Sequence, residues 1–192
     1  IASDVSGSMQ SPISERSKVQ MYDVGLVLSM LLQHRSKNVV TGIFGDTWKI
    51  KNFPKTGILG NVSRMQDLAS EVGMSTNGHL VIQDLIDRKE VVDKVMFFTD
   101  MQLWDSNPDE DFMWRSSRIG GQPLAKLWPL YKKIAPDAKL YLFDLQGHGT
   151  TPLTMHGNDV FLIAGWGEKT FDMLEAYENG SGAVEEINKI TL

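Results

Sequence analysis

The sequence predicts a doubly wound α/β fold, in which helices cover both faces of a mostly parallel central sheet. Three observations carry that expectation. Short apolar runs rich in β-branched and aromatic residues alternate with amphipathic segments along the whole chain, the order expected of repeated strand–crossover–strand units. One of these runs, Lys94–Thr99 (KVMFFT), is almost continuously apolar, which marks a strand covered on both faces. Finally, 192 residues with 42% hydrophobic and 22% charged side chains, 17 Gly and 7 Pro suit one domain with a substantial core and exclude disordered and collagen-like chains.

The elements follow in order. Ile1-Ala2-Ser3-Asp4 reads as the end of a buried strand, and with no initiator Met before it the expectation is a piece of a longer protein. Residues 19–33 carry apolar side chains at three- and four-residue spacing, a buried helix. Residues 39–44 are a β-branched run, and Gly45-Asp46 offers a tight turn into residues 47–50. These two runs form a hairpin whose second arm is a short antiparallel edge strand. Residues 62–72 are helical and stop at Gly73. A polar loop, 73–78, leads to a second helix over residues 80–87. After the strand Lys94–Thr99, residues 105–121 are too rich in Asp, Ser and Gly for regular structure throughout. A helix over 124–134, a strand over 139–145, a loop over 147–157, a last strand Val160–Ala164 and a helix Thr170–Glu178 complete the alternation. Residues 1–182 are read as one domain and 183–192 as a tail.

Charge and composition narrow the function. With 19 basic and 24 acidic residues the net charge is −5, which lacks the basic footprint of a nucleic-acid-binding surface. The absence of Cys fits a reducing compartment. There is no apolar run of ~18 residues, so no membrane contact is expected, and no charged segment followed by an apolar one that would read as a signal peptide. The location expected is cytoplasmic, and the sequons at Asn61 and Asn179 are read as chance.

In a doubly wound sheet, ligands bind beyond the carboxyl ends of the strands, near the reversal in strand order. The first strand runs directly into Asp4-Val5-Ser6-Gly7-Ser8. One carboxylate and two hydroxyls at alternating positions suit a hard divalent cation, because Mg²⁺ takes an oxygen shell built from one or two carboxylates with hydroxyls and waters. Two more oxygen donors stand at comparable places: Thr76, in the polar loop before a helix, and Asp100, at the end of the central strand. Ser75 offers the same hydroxyl as Thr76. The competing reading is that Asp4, Ser6 and Ser8 simply cap the next helix, a role these residue types favour.

Asp4-x-Ser6-x-Ser8, Thr76 and Phe98-Thr99-Asp100 resemble the metal-ion-dependent adhesion site of a von Willebrand factor A (vWA) domain, over essentially the whole chain. The resemblance implies a vWA/Rossmann-like fold. It also implies Mg²⁺, or Mn²⁺ or Ca²⁺ in its place, held directly by Ser6, Ser8 and Thr76 and through waters by Asp4 and Asp100. One coordination position is then left for a Glu or Asp of a protein partner. Where many of these domains have Thr-Asp-Gly, this chain has Thr99-Asp100-Met101. Met101 is not a ligand, so the departure is expected to alter the rim and leave metal binding intact. The string Phe98–Ser106, the segment Gly147–Pro152 and Leu162-Ile163-Ala164-Gly165-Trp166 resemble the Ro (TROVE-type) ribonucleoprotein family. In that family the A domain is joined to a ring of helical repeats that binds Y RNA and misfolded non-coding RNA. The tail 183–192 would then belong to the junction with such a domain.

Other residues receive plainer readings. His148 sits in a glycine-flanked loop and reads as solvated, not catalytic; His34, His79 and His156 lack zinc spacing, and His79 is expected to pack or cap beside the Thr76 loop. The tryptophans are core by default, with Trp104 and Trp114 set apart because they flank the polar stretch after Asp100. Asp105, Asp109, Glu110 and Asp111 form a solvated acidic loop. The expected function is therefore a non-catalytic, Mg²⁺-dependent binding module of a Ro-like RNA-binding protein. Two alternatives stand beside it. A metal-dependent phosphohydrolase would use Asp4 as nucleophile, although Ser6 occupies the place of the second carboxylate such chemistry needs as general acid. Direct contact between the metal and an RNA phosphate is the other.

Overall fold

The computed structural model describes residues 1–101, 124–147, 159–167 and 169–178. Six strands form one sheet: β1 (Ala2–Asp4), β2 (Gly42–Phe44), β3 (Trp48–Ile50), β4 (Lys94–Thr99), β5 (Lys139–Asp144) and β6 (Val160–Ala164), in the order β3-β2-β1-β4-β5-β6. All neighbours are parallel except β2 and β3, which pair antiparallel as the edge hairpin. The fold is the α/β class the alternation predicts. Chain order runs outward from β1 through β2 to β3, then returns to the other side of β1 with β4. The reversal therefore lies between the carboxyl ends of β1 and β4, where Asp4 and Asp100 stand.

Five described helices flank the sheet: α1 (Met21–Arg35), α2 (Ile58–Ala69), α3 (His79–Asp87), α4 (Leu124–Tyr131) and α5 (Thr170–Glu178). On one face, Val81, Ile82 and Leu85 of α3 and Leu124, Leu127, Trp128 and Tyr131 of α4 pack on Phe97, Leu140 and Leu142. On the other, Leu26 and Met30 of α1 and Val62 and Met65 of α2 enclose Val5 and Ile43. Val24 of α1 and Phe171 and Leu174 of α5 cover Phe98, Tyr141 and Phe143. β4 and β5 send apolar side chains to both sides, and burying them contributes about 25 cal/mol per Å² of apolar surface.

Several boundaries differ from the periodicity reading by a few residues, and two of them have a clear local form. α2 starts at Ile58, four residues earlier than expected. Gly57 at φ +72° breaks the preceding chain, and its carbonyl accepts the Asn61 N–H at 2.9 Å, closing the first turn. The exposed Leu59 and the Gly60 that follows it had hidden this turn. α4 runs through Pro129 and ends at Tyr131 in a tightened turn, the Lys133 N–H donating to the Leu130 carbonyl and the Ile134 and Ala135 N–H groups both to the Tyr131 carbonyl. Trp166 is a correction as well: it is 49% exposed beyond β6, whereas Trp128 is core and Trp48 is half-buried against the sheet. The Asn61 side chain is buried and donates to the Pro54 and Thr56 carbonyls, in keeping with the sequon being a chance occurrence. No helix among the described residues is long and apolar enough to cross a membrane. The segments 105–121 and 148–157 and the tail 183–192, with His148, His156, Trp104, Trp114 and the acidic cluster 105–111, lie outside the described residues.

Candidate metal centre at the sheet reversal

Asp4 closes β1 and is fully buried. Its Oδ1 accepts the Ser6 backbone N–H at 2.9 Å, a turn in which the carboxylate holds its own loop. Its Oδ2 accepts the Thr99 hydroxyl at 2.7 Å, across to the end of β4. Ser6 is also fully buried, and its Oγ lies 3.2 Å from Ser8 Oγ. Ser8 is half-buried and starts a single 3-10 turn, Ser8–Gln10, that has no side-chain cap. The first long helix is begun elsewhere: Asp23 accepts the Gln20 backbone N–H at 2.8 Å. The capping reading of Asp4, Ser6 and Ser8 is thus not what these side chains do.

Thr76 stands on a loop pinned at both ends. The Gly7 N–H donates to the Met74 carbonyl at 2.9 Å, joining the serine loop to the threonine loop. From the hairpin turn, Asp46 accepts the Ser75 N–H at 2.8 Å, and the Gly45 carbonyl accepts the Asn77 N–H at 3.2 Å. Gly73, at φ +81°, lies against the Asp46 carboxylate so closely that a Cβ there would sit 2.2 Å from Oδ2. Thr76 is buried while Ser75 is exposed, so of the two neighbouring hydroxyls it is Thr76 that turns inward. His79 packs, buried, at the start of α3.

Asp100 follows β4 and is fully buried. Its charge acts on Asp4. Burial, first of all, pushes the Asp4 carboxyl up to about 7; hydrogen bonds from Ser6 and Thr99 pull it down, and the Asp100 charge pushes it up again. Asp4 and Asp100 and the Ser6 and Ser8 hydroxyls therefore stand together at the sheet reversal, and the loop that carries the buried Thr76 is tied to the serine loop through Gly7 and Met74. Among the described residues no group of three or more His, Cys, Asp or Glu side chains is placed to hold a metal. An all-oxygen set with two carboxylates is what a hard cation such as Mg²⁺ takes, in contrast to the nitrogen and sulfur sets of zinc.

Met101 corrects an expectation. It stands at φ +64°, a left-handed backbone that costs a non-glycine residue about 1–2 kcal/mol and explains why glycine is common at this place in the resembling motif. Its side chain is not on a rim: it is buried with Leu124 and Trp128 in the α3–α4 core. Sequence reasoning passed over Thr99, although it stands inside the motif, and it passed over Asp46, whose role depends on a hairpin meeting a distant loop. Asp144, at the end of β5, is buried too, but its Oδ1 accepts the Gln146 and Gly147 N–H groups of its own turn.

No protein-family profile matches the chain, and no curated protein sequence does. Solved structures do share its fold. The Ro (RSR) protein of Deinococcus radiodurans superposes with a TM-score of 0.67 over 94% of this chain at 17% identity. The chain spans about a third of that protein's length, 34%. An aerotolerance-related membrane protein of Bacteroides fragilis superposes with a TM-score of 0.53 at 12% identity, covering 98% of this chain and 97% of that one. At these identities the likeness is one of fold: a doubly wound α/β domain of the kind present in a Ro protein.

Proposed function

We propose that this domain is a non-catalytic binding module that takes Mg²⁺ at Asp4, Ser6, Ser8, Thr76 and Asp100 and uses it to capture a carboxylate of a protein partner. The observation that carries the reading is the burial of Asp4 beside Asp100 at the sheet reversal, with the Ser6 and Ser8 hydroxyls 3.2 Å apart beside them. Burying two like charges together is costly unless a cation joins them. Mg²⁺ supplies that charge and offers a coordination position to an outside oxygen. Ser6, Ser8 and Thr76 are its direct donors in this reading, and Asp4 and Asp100 hold it through waters. Both oxygens of Asp4 already accept hydrogen bonds and the side chain has no exposure, a poor state for a nucleophile, so phosphohydrolysis is not favoured.

The Deinococcus likeness supports placing the domain within a Ro-like protein whose remaining part binds RNA, Y RNA and misfolded non-coding RNA being the ligands the family resemblance implies. The cytoplasm is the location this reading assigns. The deciding test is calorimetric titration of Mg²⁺ and Mn²⁺ into the chain, with a Ser6→Ala, Ser8→Ala double variant as control. One-site binding that the variant loses is the expected result; a wild type with no binding heat for either ion removes the metal and the partner reading together. Direct RNA contact is distinguished by salt: phosphate binding weakens steeply as salt rises, whereas a carboxylate on Mg²⁺ tracks Mg²⁺ concentration.

A further inference from the structure

Thr99 lies outside the proposed donor set, yet it is the residue that joins the two strands carrying the carboxylates. Its hydroxyl donates to Asp4 Oδ2 at 2.7 Å and accepts the Met101 backbone N–H at 3.2 Å. An amide can only donate. The hydroxyl has one proton, and with the Met101 N–H aimed at its oxygen that proton is directed to Asp4. The other oxygen of Asp4 is held by a second amide, that of Ser6. The carboxylate is thus fixed at both ends, from β1's own loop and from β4. All members of the relay are buried: Asp4 and Thr99 completely, Met101 at 4% exposure.

We infer that Thr99 is a positioning residue for the metal centre, its hydroxyl turned to Asp4 by the Met101 amide that it accepts. The chain leaves the strand after Thr99, and the Met101 N–H meets Thr99 Oγ1, two residues earlier. Hydrogen bonds of this kind to groups around a metal typically change its affinity 10–100-fold when removed.

This inference rests on the Mg²⁺ reading above, and the test separates the two. Thr99→Val keeps the shape and removes the hydroxyl; Thr99→Ser keeps the hydroxyl. Mg²⁺ affinity is measured by calorimetry for all three proteins, and the orientation of the Asp4 carboxylate is read from metal-free crystal structures of wild type and Thr99→Val. The expected result is a Mg²⁺ affinity lowered at least tenfold in Thr99→Val, restored to within threefold of wild type in Thr99→Ser, with the Asp4 carboxylate rotated away from β4 in the valine variant. A valine variant that binds Mg²⁺ like wild type, or one whose Asp4 keeps its orientation, overturns the positioning role while leaving the metal reading intact. A wild type that binds no Mg²⁺ overturns both.

Discussion

The charge state of Asp4 is the most consequential property at the scale of single residues. Its ordinary value is 3.8 and its value in the fold is about 7, burial being the chief cause. The folded state therefore binds a proton more tightly than the unfolded chain. Between pH ~4 and ~7 the metal-free protein loses stability as pH rises, and the loss is complete above about 7. Three pH units of difference correspond to about 4 kcal/mol at most. Metal-free Asp4→Asn, which carries no proton to lose, is expected to show a flatter dependence and to exceed wild type in stability at pH 8, while losing Mg²⁺ binding; urea unfolding at pH 5 and pH 8 in a chelator measures this. Mg²⁺ selects the ionised carboxylate, so wild-type affinity is expected to fall as pH drops from 8 to 6, with proton release on binding detectable from the buffer dependence of the binding heat. Met101 poses the opposite trade. Met101→Gly relieves a left-handed strain of about 1–2 kcal/mol but empties a buried site, and large-to-small core changes cost about 2–5 kcal/mol. A net loss of about 1–3 kcal/mol in urea unfolding is expected, with Mg²⁺ affinity close to wild type because glycine keeps the N–H that Thr99 accepts.

Among the elements, the Thr76 loop depends on the edge hairpin more than on its own sequence. Asp46 and Gly45 hold Ser75 and Asn77, and Gly73 fits because it has no side chain to meet Asp46. Gly73→Ala adds a Cβ 2.2 Å from the Asp46 carboxylate at a backbone φ of +81°. Either Asp46 or the loop must move, so the variant is expected to lose about 2 kcal/mol and to bind Mg²⁺ more weakly, as melting curves with and without the ion would show. A variant with wild-type melting and affinity would mean that the hairpin does not position Thr76. The same hairpin shows what could be read from the sequence. Lys94–Thr99, Val160–Ala164 and Thr170–Glu178 have their expected limits because their apolar runs and helical spacing are uninterrupted. Ile58 was missed as a helix start because Leu59 faces water and Gly60 follows it, a pattern that looks like loop. For the candidate centre, Asp4, Ser6, Ser8 and Asp100 were legible as oxygen donors at or just past strand ends, and Thr76 as a hydroxyl in the polar loop before α3. Thr99 and Asp46 were not, since what matters about them is a hydrogen bond across 95 residues in one case and 29 in the other, and no local pattern encodes such a pairing.

For the molecule as a whole, the proposed centre sits where the two halves of the sheet meet, so occupancy and global stability are linked. β1 carries Asp4 and β4 leads into Asp100; these strands are adjacent and parallel, yet they are separated in sequence by α1, the hairpin, α2 and α3. A cation held between them ties early and late parts of the chain and binds only when both are folded. An ion that binds the native state alone stabilises it by about 2.7 kcal/mol at a hundred times its dissociation constant. For a chain of this size each kcal/mol moves the melting midpoint by about 2–4 °C, so saturating Mg²⁺ is expected to raise it by about 5–10 °C at pH 8. The rise is reversed by chelation and absent in the Ser6→Ala, Ser8→Ala variant. It is expected to be smaller at pH 6, where Asp4 is largely protonated in the metal-free fold and the ion must displace that proton. A non-specific effect of ionic strength has a different signature: it is shared by the double variant and reproduced by NaCl of equal ionic strength. Equal midpoint shifts in wild type and double variant would therefore place the ion on the surface and leave the paired carboxylates at the sheet reversal as a purely structural feature.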